Sequence, residues 1–328
     1  MRRGLLTLAV LGGLGLAGAA AIVGFGLYNV SAQVGHLPGV SWVLHTTFRN
    51  SVSLRAPAPE EVPPLDDPDL IALGAGHYAT ACAMCHGALG ELQSATARAM
   101  VPAPPPINEA VAHWEANELH WIVENGAKMT GMPAWPAEAR GDEVWAVVAF
   151  LKSIKRDTAP RMPSPTLTGT AYCQSCHGDI GGPVPRLDIQ SAEYLEAQLI
   201  AYLTGDRPSG IMAQAATRVP EDSFAELAEA FSNKPAAPVL DPVPGEGPGA
   251  ALARAGTRDV PACLACHGGQ QPSKGPRLFG QNEAYLLAQL KLWRDGTLDH
   301  DALMAAAARD LTTEDIKTLS RYFAGVGR

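Results

Sequence analysis

Three pentapeptides with one pattern constrain this chain more than any other feature. Each contains two cysteines separated by two residues and followed at once by a histidine, and they lie at residues 82–86, 173–177 and 263–267. Successive copies therefore start 91 and then 90 residues apart, and together they contain all six cysteines of the chain. Cysteine is used here only in this pattern, which indicates one repeated chemical task.

That task is predicted to be covalent attachment of haem c. The two thiols of a C-x-x-C-H sequence can form thioethers with the haem vinyl groups, and the adjacent imidazole can ligate the iron. A zinc site would need ligands from two converging knuckles, and disulfides would need no histidine after each pair. Redox chemistry by bare C-x-x-C thiols remains an alternative. The sequence predicts three haems, with attachment and proximal iron ligation by Cys82, Cys85, His86, Cys173, Cys176, His177, Cys263, Cys266 and His267.

Proline-rich segments divide the chain between the three attachment sequences. They cover residues 56–69, 158–165 and 234–249 and are typical of extended spacers. With 328 residues, 6% of them aromatic, and with 27 prolines and 33 glycines, the composition favours short helices joined by loops over a large sheet. The predicted divisions are a transmembrane anchor (1–30), a juxtamembrane segment with a proline-rich linker (31–69), a first domain (70–157), a linker (158–167), a second domain (168–234), a linker (235–249) and a third domain (250–328).

The second and third domains contain the same landmarks in the same order. Pro-Arg-Leu occurs at 185–187 and again at 276–278, and Tyr194 and Tyr285 each open a similar helical stretch. Gly205 then corresponds to Gly296, and Met212 to Met304, at intervals that differ by one residue or less. An internal duplication explains these matches.

With these motifs, the chain from about residue 70 resembles a three-haem class I c-type cytochrome. Residues 168–328 resemble the two-haem periplasmic cytochromes c built from tandem domains, and residues 70–157 resemble a monohaem cytochrome c domain. The resemblance implies a mainly α fold, with three tandem class I cytochrome c domains after one N-terminal transmembrane helix. It also implies that the first and last helices of the first domain cross near Gly74, Tyr78 and Phe150.

A methionine in each domain is predicted to ligate the iron opposite the histidine. Met212 and Met304 are solitary methionines at corresponding positions, although His300, one helical turn before Met304, is an alternative. In the first domain, Met129 and Met132 are both candidates for this iron ligand. The Gly-Met-Pro-Ala-aromatic string at 131–135 resembles the ligand loop of many monohaem domains and favours Met132. By the same resemblance, the histidines would donate their second ring hydrogen to the carbonyls of Pro105, Pro185 and Pro276.

The N-terminus is predicted to anchor the chain in a membrane. Arg2 and Arg3 precede 26 uncharged residues, Leu5 to Val30, which as a helix would extend about 39 Å and cross a hydrocarbon core of about 30 Å. A cleaved signal peptide ending near residues 19–21 is the alternative. The arginines would keep the N-terminus cytoplasmic, so the haem domains are expected on the periplasmic side of the inner membrane.

Two further features of the N-terminal region concern possible partners. Gly13, Ala17 and Ala21 share one helix face, which would allow another membrane helix to approach closely. Residues 40–55 mix apolar and polar side chains. They are interpreted either as an amphipathic segment at the lipid headgroups or against a partner subunit, or as an ordered connector.

Charge and motif content limit the possible functions. The formal net charge is −8, with acidic first and second domains and a slightly basic third domain, and no basic run suggests nucleic acid. No nucleophile or acid–base pair stands out, so no catalytic residue is predicted and the chain is not expected to be an enzyme by itself.

The sequence therefore predicts membrane-tethered electron transfer in a respiratory chain. Electrons would pass from a quinol-linked complex or a dehydrogenase to a terminal oxidase or a soluble cytochrome. The alternative is an integral cytochrome c subunit of a larger dehydrogenase or oxidase complex. A haem-based peroxidase would need an open iron position and is disfavoured by a methionine in every domain.

Overall fold

The structure is a computed structural model that describes residues 2–178, 180–232, 246–268 and 275–325. All regular secondary structure within these residues is helical, and no β-strand occurs among them. One apolar N-terminal helix precedes three helical domains in series. This architecture confirms the predicted mainly α fold class.

Two helices precede the first domain. Helix α1, Arg2–Phe25, has no buried residue and is long and apolar enough to cross a membrane. Helix α2, Val40–Arg55, packs on the first domain through buried Val52, and the Phe48 ring meets Trp114 edge-on with centroids 5.9 Å apart. Residues 40–55 thus form an ordered helix docked on the first domain, although Trp42 and Val43 remain exposed.

The first domain is built around the crossing of its first and last long helices. Its helices are α3 (Pro68–His77), α4 (Ala83–His86), α5 (Ala95–Arg98), α6 (Ile107–Ala110), α7 (Ala116–Asn125) and α8 (Gly141–Lys155). A Cβ atom at Gly74 of α3 would overlap the Ala146 carbonyl oxygen of α8, so only glycine permits this close approach. The Tyr78 and Phe150 rings lie beside the crossing with centroids 5.2 Å apart. The predicted crossing is confirmed.

The second and third domains repeat one arrangement of helices. In the second domain these are α9 (Gly169–His177), α10 (Ala192–Thr204), α11 (Gly210–Ala216) and α12 (Phe224–Ser232). In the third they are α13 (Pro248–Ala255), α14 (Leu264–His267), α15 (Glu283–Arg294), α16 (Ala302–Ala308) and α17 (Thr313–Ala324). Helices α10, α11 and α12 correspond in order to α15, α16 and α17, as the duplicated landmarks predict.

Side-chain caps and glycines set several of these helix ends. Asp67 accepts a hydrogen bond from the Asp69 amide at 2.8 Å, and Pro68 occupies the first helical position of α3, where no amide hydrogen is needed. Helix α10 is capped at its C-terminus by Gly205, whose φ of 84° is left-handed and favours glycine.

The segments between the domains differ in how they are held. Met162, in the predicted linker 158–167, packs against the core of the first domain, and the Arg218 guanidinium donates to the Pro165 carbonyl at 2.7 Å. This linker is therefore held at two points, Met162 and Pro165. In the predicted linker 235–249, α13 already begins at Pro248, and residues up to 245 lie outside the described part of the chain.

Candidate haem sites

Each C-x-x-C-H sequence includes at least one helical turn. The histidine is the last residue of α4, α9 or α14, so the pentapeptide ends where its helix ends. All six cysteines are partly buried. This placement keeps each thiol pair and the following imidazole close together, as attachment to one macrocycle requires.

The environment of the thiols opposes redox chemistry by sulfur. Burial, with a further contribution from Cys85, raises the pKa of Cys82 to about 12. Burial also raises the pKa values of Cys176 and Cys263. Redox thiols need the opposite shift, because the thiolate is the reactive form. The raised pKa values of Cys82, Cys176 and Cys263 therefore argue against redox chemistry by these thiols.

The three histidines make the hydrogen bonds that the sequence predicts. The Nδ1 atom of His86 lies 2.9 Å from the Pro105 carbonyl oxygen. The corresponding distances are 3.0 Å from His177 to Pro185 and 2.9 Å from His267 to Pro276. A carbonyl oxygen can only accept, so Nδ1 carries the hydrogen and Nε2 keeps its lone pair for a metal.

Burial also favours the neutral imidazoles that metal ligation requires. It lowers the pKa of His177, although the Pro185 carbonyl opposes this shift. It likewise lowers the pKa of His267, against the opposing effects of Pro276 and Asp301. Both rings are therefore neutral at physiological pH, and each keeps a lone pair that can bind a metal.

One continuous cavity of about 1250 Å³ extends across the second and third domains. The predicted attachment and ligand residues of both domains line it: Cys173, Cys176, His177, Met212, Cys263, Cys266, His267 and Met304. Each domain thus contributes one histidine and one methionine to a shared space. The first domain also borders the cavity, with Gly76, His77, Arg140 and Glu143, although its predicted attachment and ligand residues, including His86 and Met132, do not line it.

Two glutamines form hydrogen bonds between the second and third domains beside this cavity. The Gln190 side-chain amide donates to the Arg277 carbonyl at 2.8 Å and accepts from the Arg277 amide at 2.9 Å. Gln281 does the same with Arg186, at 3.0 and 2.8 Å. Each arginine follows the proline whose carbonyl accepts from a predicted iron-ligating histidine. The contact is therefore reciprocal, as expected when two copies of one domain face each other about a local twofold axis.

Comparison with known proteins assigns the family. Residues 69–151 match the family described as cytochrome c oxidase, cbb3-type, subunit III. The thiosulfate dehydrogenase electron acceptor of Stutzerimonas stutzeri is 35% identical over 171 residues, which cover 48% of this chain and 79% of that protein. This chain belongs to the cytochrome c family. Cytochrome c4 of Azotobacter vinelandii is 33% identical over 180 residues, covering 48% of this chain and 85% of its own length. The structure of Acidithiobacillus ferrooxidans cytochrome c4 is 32% identical and covers 47% of this chain and 96% of its own, with a TM-score of 0.40.

Membership of the cytochrome c family implies covalent haem c and haem-based electron transfer. The residues that line the cavity fit that group. A partly buried guanidinium in particular lacks a carboxylate: Arg207 donates to the Gln198 side-chain oxygen at 2.5 Å and to the phenols of Tyr194 and Tyr285, each at 3.3 Å, and stacks on the Tyr202 ring. No aspartate or glutamate among the described residues pairs with it. A cation held away from water costs free energy without a counter-charge, and a haem propionate would supply one.

Replacing Arg207 is expected to lower the midpoint potentials of the haems in the second and third domains. Removing a cation beside the cavity favours the ferric state, which carries one more positive charge, so Arg207→Gln should lower each potential by on the order of 50 mV. Spectroelectrochemical titration measures this shift. Arg258→Gln is the control, because the Arg258 side chain is 95% exposed. Equal potentials in both variants would contradict this role of Arg207.

Replacing Gln281 is expected to destabilise the joined second and third domains. Gln281→Met keeps the size of the side chain but leaves the Arg186 amide and carbonyl without their partners. Each such buried loss costs about 1–3 kcal/mol, so the free energy of unfolding should fall by about 2 kcal/mol or more. Urea denaturation followed by haem absorbance tests this. Exposed Gln33→Met, outside the haem domains, is the control, and an unchanged midpoint for Gln281→Met would refute the prediction.

In the first domain the candidate methionines differ in environment. Met129 is 92% exposed and has a left-handed backbone with φ 62°. Met132 is partly buried, its amide donates to Thr130 Oγ1 at 3.1 Å, and its carbonyl accepts from the Ala127 amide at 3.2 Å. This closed loop favours Met132 as the ligand. The methyl group of Met100 packs against Gly131 of the loop, a neighbour that sequence reasoning missed.

The alternative ligand of the third domain, His300, is exposed. Its ring stacks on Trp293 with centroids 4.6 Å apart. Met304 is partly buried and packs on the core of the third domain. Both residues line the cavity, and the packing of Met304 favours the methionine.

Three kinds of site residue were missed from sequence. Gln190 and Gln281 carried a usable signal, because each follows its Pro-Arg-Leu proline by five residues in the two copies. Arg207 gave no sequence signal of this kind, because Leu298 occupies the corresponding position in the third domain. His77 also lines the cavity, packs on Trp135 with ring centroids 4.7 Å apart, and has its pKa lowered to about 4 by burial. A solitary histidine in a helix gives no sequence signal for this role.

Proposed function

We propose that this chain carries three covalently bound haems c and conducts electrons along them on the periplasmic side of the inner membrane. Each iron is ligated by one histidine and one methionine, in the pairs His86 with Met132, His177 with Met212 and His267 with Met304. The observation that carries the proposal is the single cavity shared by the second and third domains, which the latter two pairs line together.

Contacts between the ligand segments support transfer along the series. The second and third haems would share one cavity, which keeps their edges close. The Trp135 indole, three residues after Met132, lies against Gly210, two residues before Met212. The ligand loop of the first domain therefore touches the ligand helix of the second. Electrons would pass through the three domains in chain order or in its reverse.

The relatives support a dehydrogenase as the electron donor. Two are named as electron acceptors of thiosulfate dehydrogenase, in Stutzerimonas stutzeri and Thiomonas intermedia. The cbb3-type oxidase subunit matched by residues 69–151 supports a terminal oxidase as the acceptor. A quinol-linked complex as donor and a soluble cytochrome as acceptor fit the same chemistry.

Helix α1 would tether the domains to the membrane. Its charges are confined to Arg2 and Arg3 at one end, which favours an N-terminus in the cytoplasm and haem domains in the periplasm. Cleavage as a signal sequence would instead release a soluble carrier. The mass of the N-terminal peptide of the mature protein shows whether helix α1 is retained as an anchor or cleaved as a signal sequence.

A second candidate function is that of an integral cytochrome c subunit in a larger complex. Helix α2 favours it, because Trp42, Val43 and Leu44 are exposed while its other face is docked on the first domain. Exposed apolar side chains next to a membrane helix suit a protein neighbour or the headgroup region.

One experiment tests the freestanding carrier against the subunit. Membranes are extracted in mild detergent, complexes are separated on a native gel, covalent haem is stained, and all proteins in the band are identified. A band containing this chain alone supports the carrier. A dehydrogenase or oxidase at a fixed ratio supports the subunit. A band without covalent haem would refute both.

A further inference from the structure

A buried ion pair of the first domain reaches the methionine helix of the second. Arg140 and Glu143 lie at the start of α8, 2.9 Å apart, with side chains only 8% and 9% exposed. Arg140 also donates to the carbonyl of Pro208, in the second domain, at 2.8 Å. The pair therefore lies at the contact between the two domains.

The Glu143 carboxylate holds the first turn of α11. One oxygen accepts from the Ser209 hydroxyl at 2.6 Å, and the other accepts from the amides of Gly210 and Ile211 at 2.7 and 3.2 Å. The Ser209 oxygen in turn accepts from the Met212 amide at 3.1 Å. Two consecutive hydrogen bonds thus link the carboxylate of one domain to the backbone of the predicted iron ligand of the next.

In the third domain, the carboxylate that holds the methionine helix belongs to the domain itself. Asp301 stands three residues before Met304, as Ser209 stands three residues before Met212, and its carboxylate accepts from the Met304 amide at 2.8 Å. The second domain has a neutral serine at this place and takes its carboxylate from the first domain. The two copies therefore present a carboxylate at corresponding positions, by different routes.

The surroundings make this contact strong. Hydrogen bonds to an ionised group are about twice as strong as neutral ones, and exclusion of water strengthens them further. Trp135 covers the same turn, since a Cβ atom at Gly210 would overlap its indole ring. The start of α11 is thus fixed by groups of the first domain alongside its own Ser209.

We propose that Glu143 is a positioning residue for the second haem, which holds α11 so that Met212 stays bound to the iron. The first domain then forms part of the ligand environment of the second haem and is more than a neighbour in the series. This inference rests on the proposed ligation of the second haem by His177 and Met212.

The test measures how easily imidazole displaces Met212 from the ferric haem. Bound methionines are counted in the intact three-haem protein from their shielded methyl resonances, and the signal of Met212 is assigned with Met212→Leu. Glu143→Gln should raise the affinity of the second haem for imidazole about tenfold, which corresponds to the loss of one charge-assisted hydrogen bond. Imidazole is neutral, so this readout reports the strength of the methionine–iron bond more than the local charge.

The matched control is Asp142→Asn. Asp142 also pairs with Arg140, but its side chain is 42% exposed, and both of its carboxylate oxygens accept from Arg140. This variant removes one neighbouring charge and should leave the imidazole affinity within about twofold of wild type, as expected for an exposed pair. A tenfold change in this variant as well would overturn the proposal, because charge alone would then explain the effect.

A rescue variant keeps the proposal testable if Glu143→Gln loads haem poorly. Glu143→Gln with Ser209→Asp gives the second domain its own carboxylate, as in the third, and should restore wild-type loading and affinity. Unchanged affinity in Glu143→Gln, or failure of the double variant to restore a defect, would overturn the proposal. If Met212 does not ligate the iron in the wild-type protein, the proposed ligation itself is wrong, so the two failures are distinguishable.

Discussion

Met132→His is expected to lower the midpoint potential of one haem by on the order of 0.2 V and to leave the other two unchanged. A thioether stabilises ferrous iron relative to ferric iron, and a second imidazole removes that preference. Met132 lies in a closed, partly buried loop, which suits a residue that must hold one geometry. Spectroelectrochemical titration of the three-haem protein resolves the shift as one component moving to lower potential.

Met129→His is the matched control for this change. It introduces the same side chain three residues away, at a position that is 92% exposed. It should leave all three potentials within the error of the titration. The reverse pattern, a large shift for Met129→His and none for Met132→His, would assign the ligand to Met129 and contradict our ligand set.

Gly74→Ala is expected to destabilise the first domain by about 3 kcal/mol, a large part of the stability of a small domain. The added methyl group would overlap the Ala146 carbonyl oxygen, a backbone atom that cannot rotate away. Helices α3 and α8 would have to separate, which would open the core around Tyr78 and Phe150. Thermal denaturation of the haem-loaded protein should show one unfolding step at a clearly lower temperature.

Gly35→Ala is the control for the glycine substitution. No atom lies within 4 Å of a Cβ placed at Gly35, so its melting profile should match that of the wild type. If Gly74→Ala melted like Gly35→Ala, the helix crossing would not be as close as the structure shows.

The elements that local patterns specify could be predicted from sequence. The crossing at Gly74 and the histidine–carbonyl bonds at Pro105, Pro185 and Pro276 follow from the cytochrome resemblance, and the structure shows both. The duplicated helices of the second and third domains followed from matched landmarks. Each of these features depends on residues within one domain, where spacing along the chain constrains position in space.

Contacts between domains could not be predicted in this way. Glu143 and Ser209 are 66 residues apart, and the bond between them depends on how two folded domains dock. Arg207 has no counterpart in the third domain, so comparison of the copies gave no signal. The start of α13 at Pro248, inside the predicted linker, gave no clear sequence signal, because proline suits both a spacer and the first turn of a helix.

The central claim is tested most directly by the intact mass of the protein purified from membranes, together with its pyridine-treated haem absorbance. We predict a mass greater than that of the polypeptide by three haem groups, with an absorbance that gives three thioether-bound haems per chain. Replacing both Cys173 and Cys176 by alanine should then reduce the count to two. A wild-type chain that carries fewer than three covalent haems would contradict the account.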